Sequence, residues 1–342
     1  MRRFSLAALF AFAAISAVWL AGLAAQIGAP SQMSRWIYEA AEIKRHRAAV
    51  TPSPRILIVA GSNALFGLDA RQLGEAWNRP VVNMAVNAGL GLRYILWQAK
   101  DIARPGDTIL LPLEYSLYVD DDRPNAQIVD YAVARDPAYW HSLPLWRKLQ
   151  FAAAMAADRW WRGLHPPIDL PVAAGPYGGY HIDDWGDQTH TSPEDQSPAD
   201  RAAVAAAKVW DYGRRDDPKR GGWPLLAEFA AWARGRDVCL VALPPALLSH
   251  PQYTQEPAER GFYQSLPVRM AAIGIPFLGQ PLDFMYPEDW FFNTDYHLLD
   301  WARSAHTARV AALLGPPPFA ACGGHMLPRQ AGRTRISGIL LG

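Results

Sequence analysis

Arg55-Ile56-Leu57-Ile58-Val59-Ala60-Gly61-Ser62-Asn63 is an apolar run that ends abruptly in a glycine, a serine and an asparagine. Ile, Leu and Val fill it without polar alternation, the pattern of a strand buried on both faces of a parallel sheet. From Ala64 to Trp77, Leu65, Leu68, Leu73 and Trp77 recur at roughly helical spacing. Ser62 therefore falls where a central strand turns into a helix, and open α/β sheets hold ligands outside such carboxyl ends. Free N–H groups at the helix start favour negative charge developing beside the hydroxyl. Two readings of Ser62 follow: a nucleophile, or a helix cap, since Ser and Asn are favoured there for hydrogen bonding alone.

Outward from this run the elements alternate. Strands are expected near 55–60, 80–85, 107–113, 237–243 and 275–279, with helices near 64–77, 91–103, 224–235 and 258–273. That alternation predicts an α/β fold with a doubly wound, mainly parallel, five-stranded sheet of flavodoxin-like type. It is interrupted over 118–222, a stretch too long for a simple connection and too aromatic for a linker. Trp140, Trp146, Trp160, Trp161, Trp185 and Trp210 lie there. Either they pack a helical insertion onto the main domain, or their exposed members stack on sugar rings.

Near the other end, Phe291-Phe292-Asn293-Thr294-Asp295-Tyr296-His297-Leu298 precedes a helical pattern over 299–314. A serine hydroxyl is a poor nucleophile until a base takes its proton, and the base needs a third group to fix its tautomer. Ser62, His297 and Asp295 could supply all three, and the late loop can return to the first strand's end. A lone histidine in such a loop is otherwise a hydrogen-bonded structural residue.

In this order of parts the chain resembles the SGNH (GDSL-like) hydrolase superfamily, in which a serine follows the first strand, a glycine the second, an asparagine the third, and an Asp/His pair comes late. Ser62 matches the first block, with Gly61 where an aspartate is usual. Val81-Val82-Asn83-Met84-Ala85-Val86-Asn87-Ala88-Gly89 resembles the second, which makes the Gly89 N–H an oxyanion donor. After Asp107-Thr108-Ile109-Leu110-Leu111-Pro112-Leu113 comes Glu114-Tyr115-Ser116 in place of Gly-x-Asn. Asn63 and Asn87 are the substitutes for the missing side-chain donor, and Glu114 joins the substrate-binding candidates at the same edge. Thr294 stands three residues before His297, where the aspartate is usual, while Asp295 stands two before; this Asp-x-His spacing is similar to that of the alginate O-acetylating branch. The resemblance covers roughly 54–114 and 223–314. It implies a serine-dependent esterase or O-acyltransferase acting on a cell-envelope or secreted polysaccharide through an acyl-enzyme, with no cofactor. Its partners would be glycan and acyl-donor substrates and other envelope acylation or export proteins. Should Asp295 not orient His297, Asp283 in the same edge loop is next. The rival is a non-catalytic, membrane-anchored glycan-binding or assembly protein on the same fold.

The chain has 342 residues, enough for a substantial core, and 33 basic against 32 acidic residues, so no nucleic-acid partner is implied. Arg2 and Arg3 precede an uncharged apolar run from Phe4 to Ala25, long enough to span a bilayer. With the arginines held in the cytoplasm, the expectation is a single-pass inner-membrane anchor over 1–25 and a periplasmic domain, or secretion after cleavage near Ala24-Ala25. Residues 26–53, with a helix from Arg35 to Arg47, read as a spacer; 54–314 as the SGNH-like domain; 315–342 as a mobile tail. Cys239 reads as a small core residue and Cys322 as part of the tail, with no disulfide framework. His181-Ile182-Asp183-Asp184-Trp185-Gly186-Asp187-Gln188-Thr189-His190 carries metal-ligand residue types, but its spacing fits neither an EF-hand nor a common zinc motif, so no metal is expected.

Overall fold

A computed structural model describes residues 2–165, 175–317 and 319–322. The chain is a mixed α/β protein with an N-terminal apolar helix, α1 (Arg2–Ala24), followed by α2 (Arg35–Val50). The core sheet has four parallel strands: β1 (Ile56–Ile58), β2 (Val81–Asn83), β3 (Thr108–Leu111) and β4 (Cys239–Ala242), in the order β2-β1-β3-β4. Every residue of β1 and β2 is buried, as the unbroken apolar runs require of strands covered on both faces. Leu57 at the centre of β1 pairs with Val82 on one side and Ile109 on the other. This register brings the ends of β1, β2 and β3 to one edge of the sheet.

The expected fifth strand at 275–279 is reduced to a single parallel bridge between Phe277 and Ala242. Pro276 has no N–H to extend a ladder, and Gly274 and Gly279, both in the left-handed region, turn the chain away on either side. A separate parallel pair, Leu247–Leu248 with Met285–Tyr286, lies beyond the main sheet.

Three parts of the periphery differ from expectation. Residues 35–50 are no free spacer: α2 buries Ile37, Ala40, Ala41, Lys44 and Ala48 along one stripe. The fully buried Lys44 donates through Nζ to Ala85 O and, over 2.6 Å, to Gly186 O, tying α2 to the loop after β2 and to the insertion. The start of the tail is packed as well, with Phe319 buried edge-on against Trp77. Cys322 is disulfide-bonded to Cys239 of β4, so Cys239 is no mere core filler; the two Cα atoms are 5.7 Å apart. Two cysteines 83 residues apart give no local spacing signal; Phe319, Ala321 and Cys322 all pack on the main core. The rest of the expected tail, 323–342, lies outside the described residues.

From Phe4 to Ala24, α1 has a mean hydropathy of 2.2 and is almost wholly exposed, long and apolar enough to cross a membrane. The insertion has helices between Ala126 and Gly163 and short ones at Pro198–Ala205 and Tyr212–Arg215, with turns and loops over 182–197, and its first half builds a second apolar core around Val129, Tyr131, Tyr139 and Phe151.

Candidate functional site

At the end of β1 the chain passes through Gly61 into α3 (Ser62–Gly67). Glu114, three residues beyond β3, holds this turn. Its Oε2 accepts from Gly61 N at 3.0 Å and its Oε1 from Asn63 N at 3.0 Å, so one buried carboxylate grips the amides on both sides of Ser62. Gly61 must be glycine, because a Cβ there would overlap Glu114 Oε1 and the Ala88 amide nitrogen. Burial pushes the Glu114 carboxyl up to about 7, against the lowering pull of the backbone donors. Glu114 is thus a brace beneath the serine rather than a substrate-binding group. Asn63 is also structural: its side chain is buried, and its Nδ2 donates to Pro112 O at 2.6 Å. Ser62 itself is half-buried, and among the described residues neither its N–H nor its hydroxyl has a hydrogen-bond partner.

The loop after β2 corrects the expected oxyanion donor. Gly89 N donates to Asn87 Oδ1 at 2.7 Å, which commits it within the chain's own turn. The amide of Ala88, one residue earlier and packed against Gly61, donates to nothing among the described residues, and neither does Asn87 Nδ2. Ser62 N–H, Ala88 N–H and Asn87 Nδ2 are therefore uncommitted donors in the loops after β1 and β2, among the described residues.

His297 lies beside the same turn. Its ring stacks on Phe66 with centroids 4.0 Å apart and an interplanar angle of 5°. Phe66 follows Ser62 by four residues on α3, so the two side chains leave the helix on the same side. No hydrogen bond joins Ser62 to His297. Burial lowers the His297 pKa to about 3, so the ring is neutral. His297 Nδ1 lies 2.7 Å from Asn293 Oδ1; since a side-chain amide oxygen only accepts, Nδ1 carries the proton and Nε2 the lone pair.

The residue orienting His297 is thus Asn293 and not Asp295. Thr294 Oγ1 accepts from Tyr296 N at 3.2 Å and His297 N at 3.1 Å, closing a tight turn that sets residues 293 and 297 face to face. Asp295, two before the histidine, points the other way, and its Oδ2 accepts from Trp210 Nε1 at 2.6 Å. Burial raises the Asp295 carboxyl above its ordinary value. Asp283 is exposed on the Pro281–Phe284 turn and makes no hydrogen bond to His297. Tyr177, from the insertion, completes the setting: its hydroxyl accepts from Asn293 Nδ2 at 3.0 Å, and its ring leans against Phe66 and His297. Sequence reasoning missed Asn293, Ala88 and Tyr177. Only the four-residue spacing from Asn293 to His297 carried any signal.

The 181–190 run forms a structural turn. Asp183 Oδ1 accepts from Trp185 N and Asp187 N, each at 2.9 Å. The buried Asp187 accepts from Ala70 N at 2.6 Å and Asn83 Nδ2 at 2.8 Å. Among the described residues no group of three or more His, Cys, Asp or Glu is placed to hold a metal ion. Comparison of the chain with known protein families, with curated proteins and with solved structures finds no match.

Proposed function

We propose that this chain is a membrane-anchored, SGNH-like serine esterase or O-acyltransferase acting on acyl esters of envelope glycans. The observation that carries the reading is a serine without a hydrogen-bond partner at the sheet edge, four residues before the phenylalanine on which a neutral histidine stacks, the histidine having its Nδ1 tied to Asn293 and its Nε2 without a partner among the described residues. In this reading Nε2 takes the Ser62 proton as Oγ attacks the acyl carbonyl. Ser62 N–H and Ala88 N–H, with Asn87 Nδ2, stabilise the oxyanion. The alcohol leaves with the proton from His297, and water or a sugar hydroxyl then resolves the acyl-enzyme. Unbound sites commonly hold such groups too far apart, and substrate closes the gap.

The strand order β2-β1-β3-β4, with Phe277 bridged to the outer side of β4, supports the five-stranded flavodoxin-like arrangement in vestigial form. An apolar N-terminal helix and a disulfide both fit a domain outside the cytoplasm, where thiols oxidise. The test is reaction of the full-length protein in detergent with a fluorophosphonate probe. Labelling that disappears in Ser62→Ala and falls sharply in His297→Ala supports the mechanism. A wild-type chain that stays unlabelled, or equal labelling of Ser62→Ala, rejects it. The missing Ser62–His297 hydrogen bond favours a second reading, a glycan-binding protein without turnover, which the unlabelled outcome supports.

A further inference from the structure

Large exposed apolar side chains cluster in two places on the described chain. One is α1. The other is the pair of insertion helices Leu145–Ala154 and Ala157–Gly163, where Leu145, Trp146, Leu149 and Trp161 are 72, 55, 51 and 62% exposed. On the first helix Leu145, Leu149 and the exposed Ala153, at four-residue spacing, form an apolar stripe with Trp146 beside it, and on the second the exposed Ala157 and Trp161 share a side, while Phe151, Ala152 and Met155 are buried in the insertion's core. A stripe of this size on a water-facing surface calls for an occupant.

Its attachment to α1 says which. Trp19 Nε1 donates to Ala152 O at 2.8 Å, Trp160 Nε1 donates back to Trp19 O at 2.9 Å, and the two indoles stack with centroids 5.3 Å apart. A Cβ at Gly22 would overlap the Trp160 ring, so this close approach depends on glycine. Trp19 lies five residues before Ala24, the end of the apolar span, which at about 1.5 Å per residue is roughly 7–8 Å along the helix. Interfacial amphipathic helices bury their apolar faces to about 5–10 Å. Ala14, Ile15, Val18 and Trp19 of α1 and Trp160 of the second helix line an open apolar crevice.

We propose that the successive helices Leu145–Ala154 and Ala157–Gly163 lie in the phospholipid interface where α1 leaves the bilayer, forming a second, in-plane membrane contact that holds the domain against the surface. Indole rings are well suited to that depth. The inference rests on α1 being retained as an anchor, and the experiment separates the two. Leu149→Cys, Phe10→Cys and Val268→Cys, each carrying an environment-sensitive nitrobenzoxadiazole label, are placed in the full-length chain in nanodiscs of phosphatidylcholine and phosphatidylglycerol. Quenching is compared between acyl-brominated phosphatidylcholine and aqueous iodide. The labels at residues 10 and 149 should be quenched by the lipid and blue-shifted; the label at 268, on an exposed side chain, should be quenched by iodide. Iodide quenching at 149 with lipid quenching at 10 overturns the in-plane contact alone. A label at 149 shielded from both quenchers means a protein surface covers the stripe and overturns it too. Iodide quenching at both 10 and 149 overturns the anchor and the inference together.

Discussion

Asn293 Oδ1 accepts from His297 Nδ1 over 2.7 Å, while the carboxylate two residues further on is engaged by Trp210. The imidazole is therefore aligned by a neutral amide, which fixes the tautomer without adding a charge beside it. Asn293→Ala should slow fluorophosphonate labelling about 10²-fold, the scale of a misplaced catalytic group. Asp295→Asn keeps an oxygen for Trp210 Nε1, so it should cost about 1 kcal/mol of stability and leave the labelling rate near that of the wild type. Equal rates for Asn293→Ala and the wild type, with a large loss in Asp295→Asn, would return the orienting role to Asp295.

Glu114 holds Gly61 N and Asn63 N with its two oxygens, and burial raises its carboxyl to about 7. The ionised form offers both acceptors; the protonated form gives one of them up to a hydroxyl. His297, lowered to about 3, stays neutral throughout this range. Labelling should therefore rise between pH 6 and 8 with a midpoint near 7 and level off above it. In Glu114→Gln the step should vanish, at a reduced rate. A midpoint near 7 that persists in Glu114→Gln would assign the titration to His297 instead.

The parts of this fold that the chain announces are those whose burial is two-sided. Ile56 to Ala60 have no polar neighbours to confuse the period, and β1 is where it was expected. The segment at 275–279 carries the same residue types, yet Pro276 and the two flanking glycines deny it a ladder. At the candidate site, the placement of Ser62 after β1 and of His297 in the late loop against α3 is legible because strand ends and late loops have a fixed place in such sheets. Their supports are not, since Asn293, Ala88 and Glu114 act through a turn closed by Thr294 and a contact across two strands. Asp295 misled because spacing in sequence says nothing of which way a tight turn points a side chain.

Lys44 tests whether α2 belongs to the domain. Its ammonium is fully buried, lowered by desolvation, and bonded to two carbonyls near the raised carboxyl of Asp187. Lys44→Met keeps much of the volume but leaves the buried Ala85 and Gly186 carbonyls without their donor, which should cost about 1–3 kcal/mol. The exposed His46 on the same helix gives the control, with His46→Ala within about 0.5 kcal/mol of wild type. Thermal unfolding of the detergent-solubilised chain measures both. Equal melting temperatures would mean that α2 is a spacer after all.

The disulfide between Cys239 and Cys322 ties the segment after the last helix to the edge strand β4 across 83 residues. Closing a loop of that length removes enough chain entropy to stabilise the protein by about 4 kcal/mol in the simple loop model. Cys322→Ser should therefore lower the melting temperature markedly and free Phe319 from Trp77, while Ser62 labelling at 20 °C persists, because the brace at Glu114 follows β3 and is not tied to β4. The native chain, denatured without reductant, should show no reactive thiol to a maleimide, and two after reduction. Two reactive thiols before reduction would show that the bond does not form, and would remove the support it lends to a domain outside the cytoplasm.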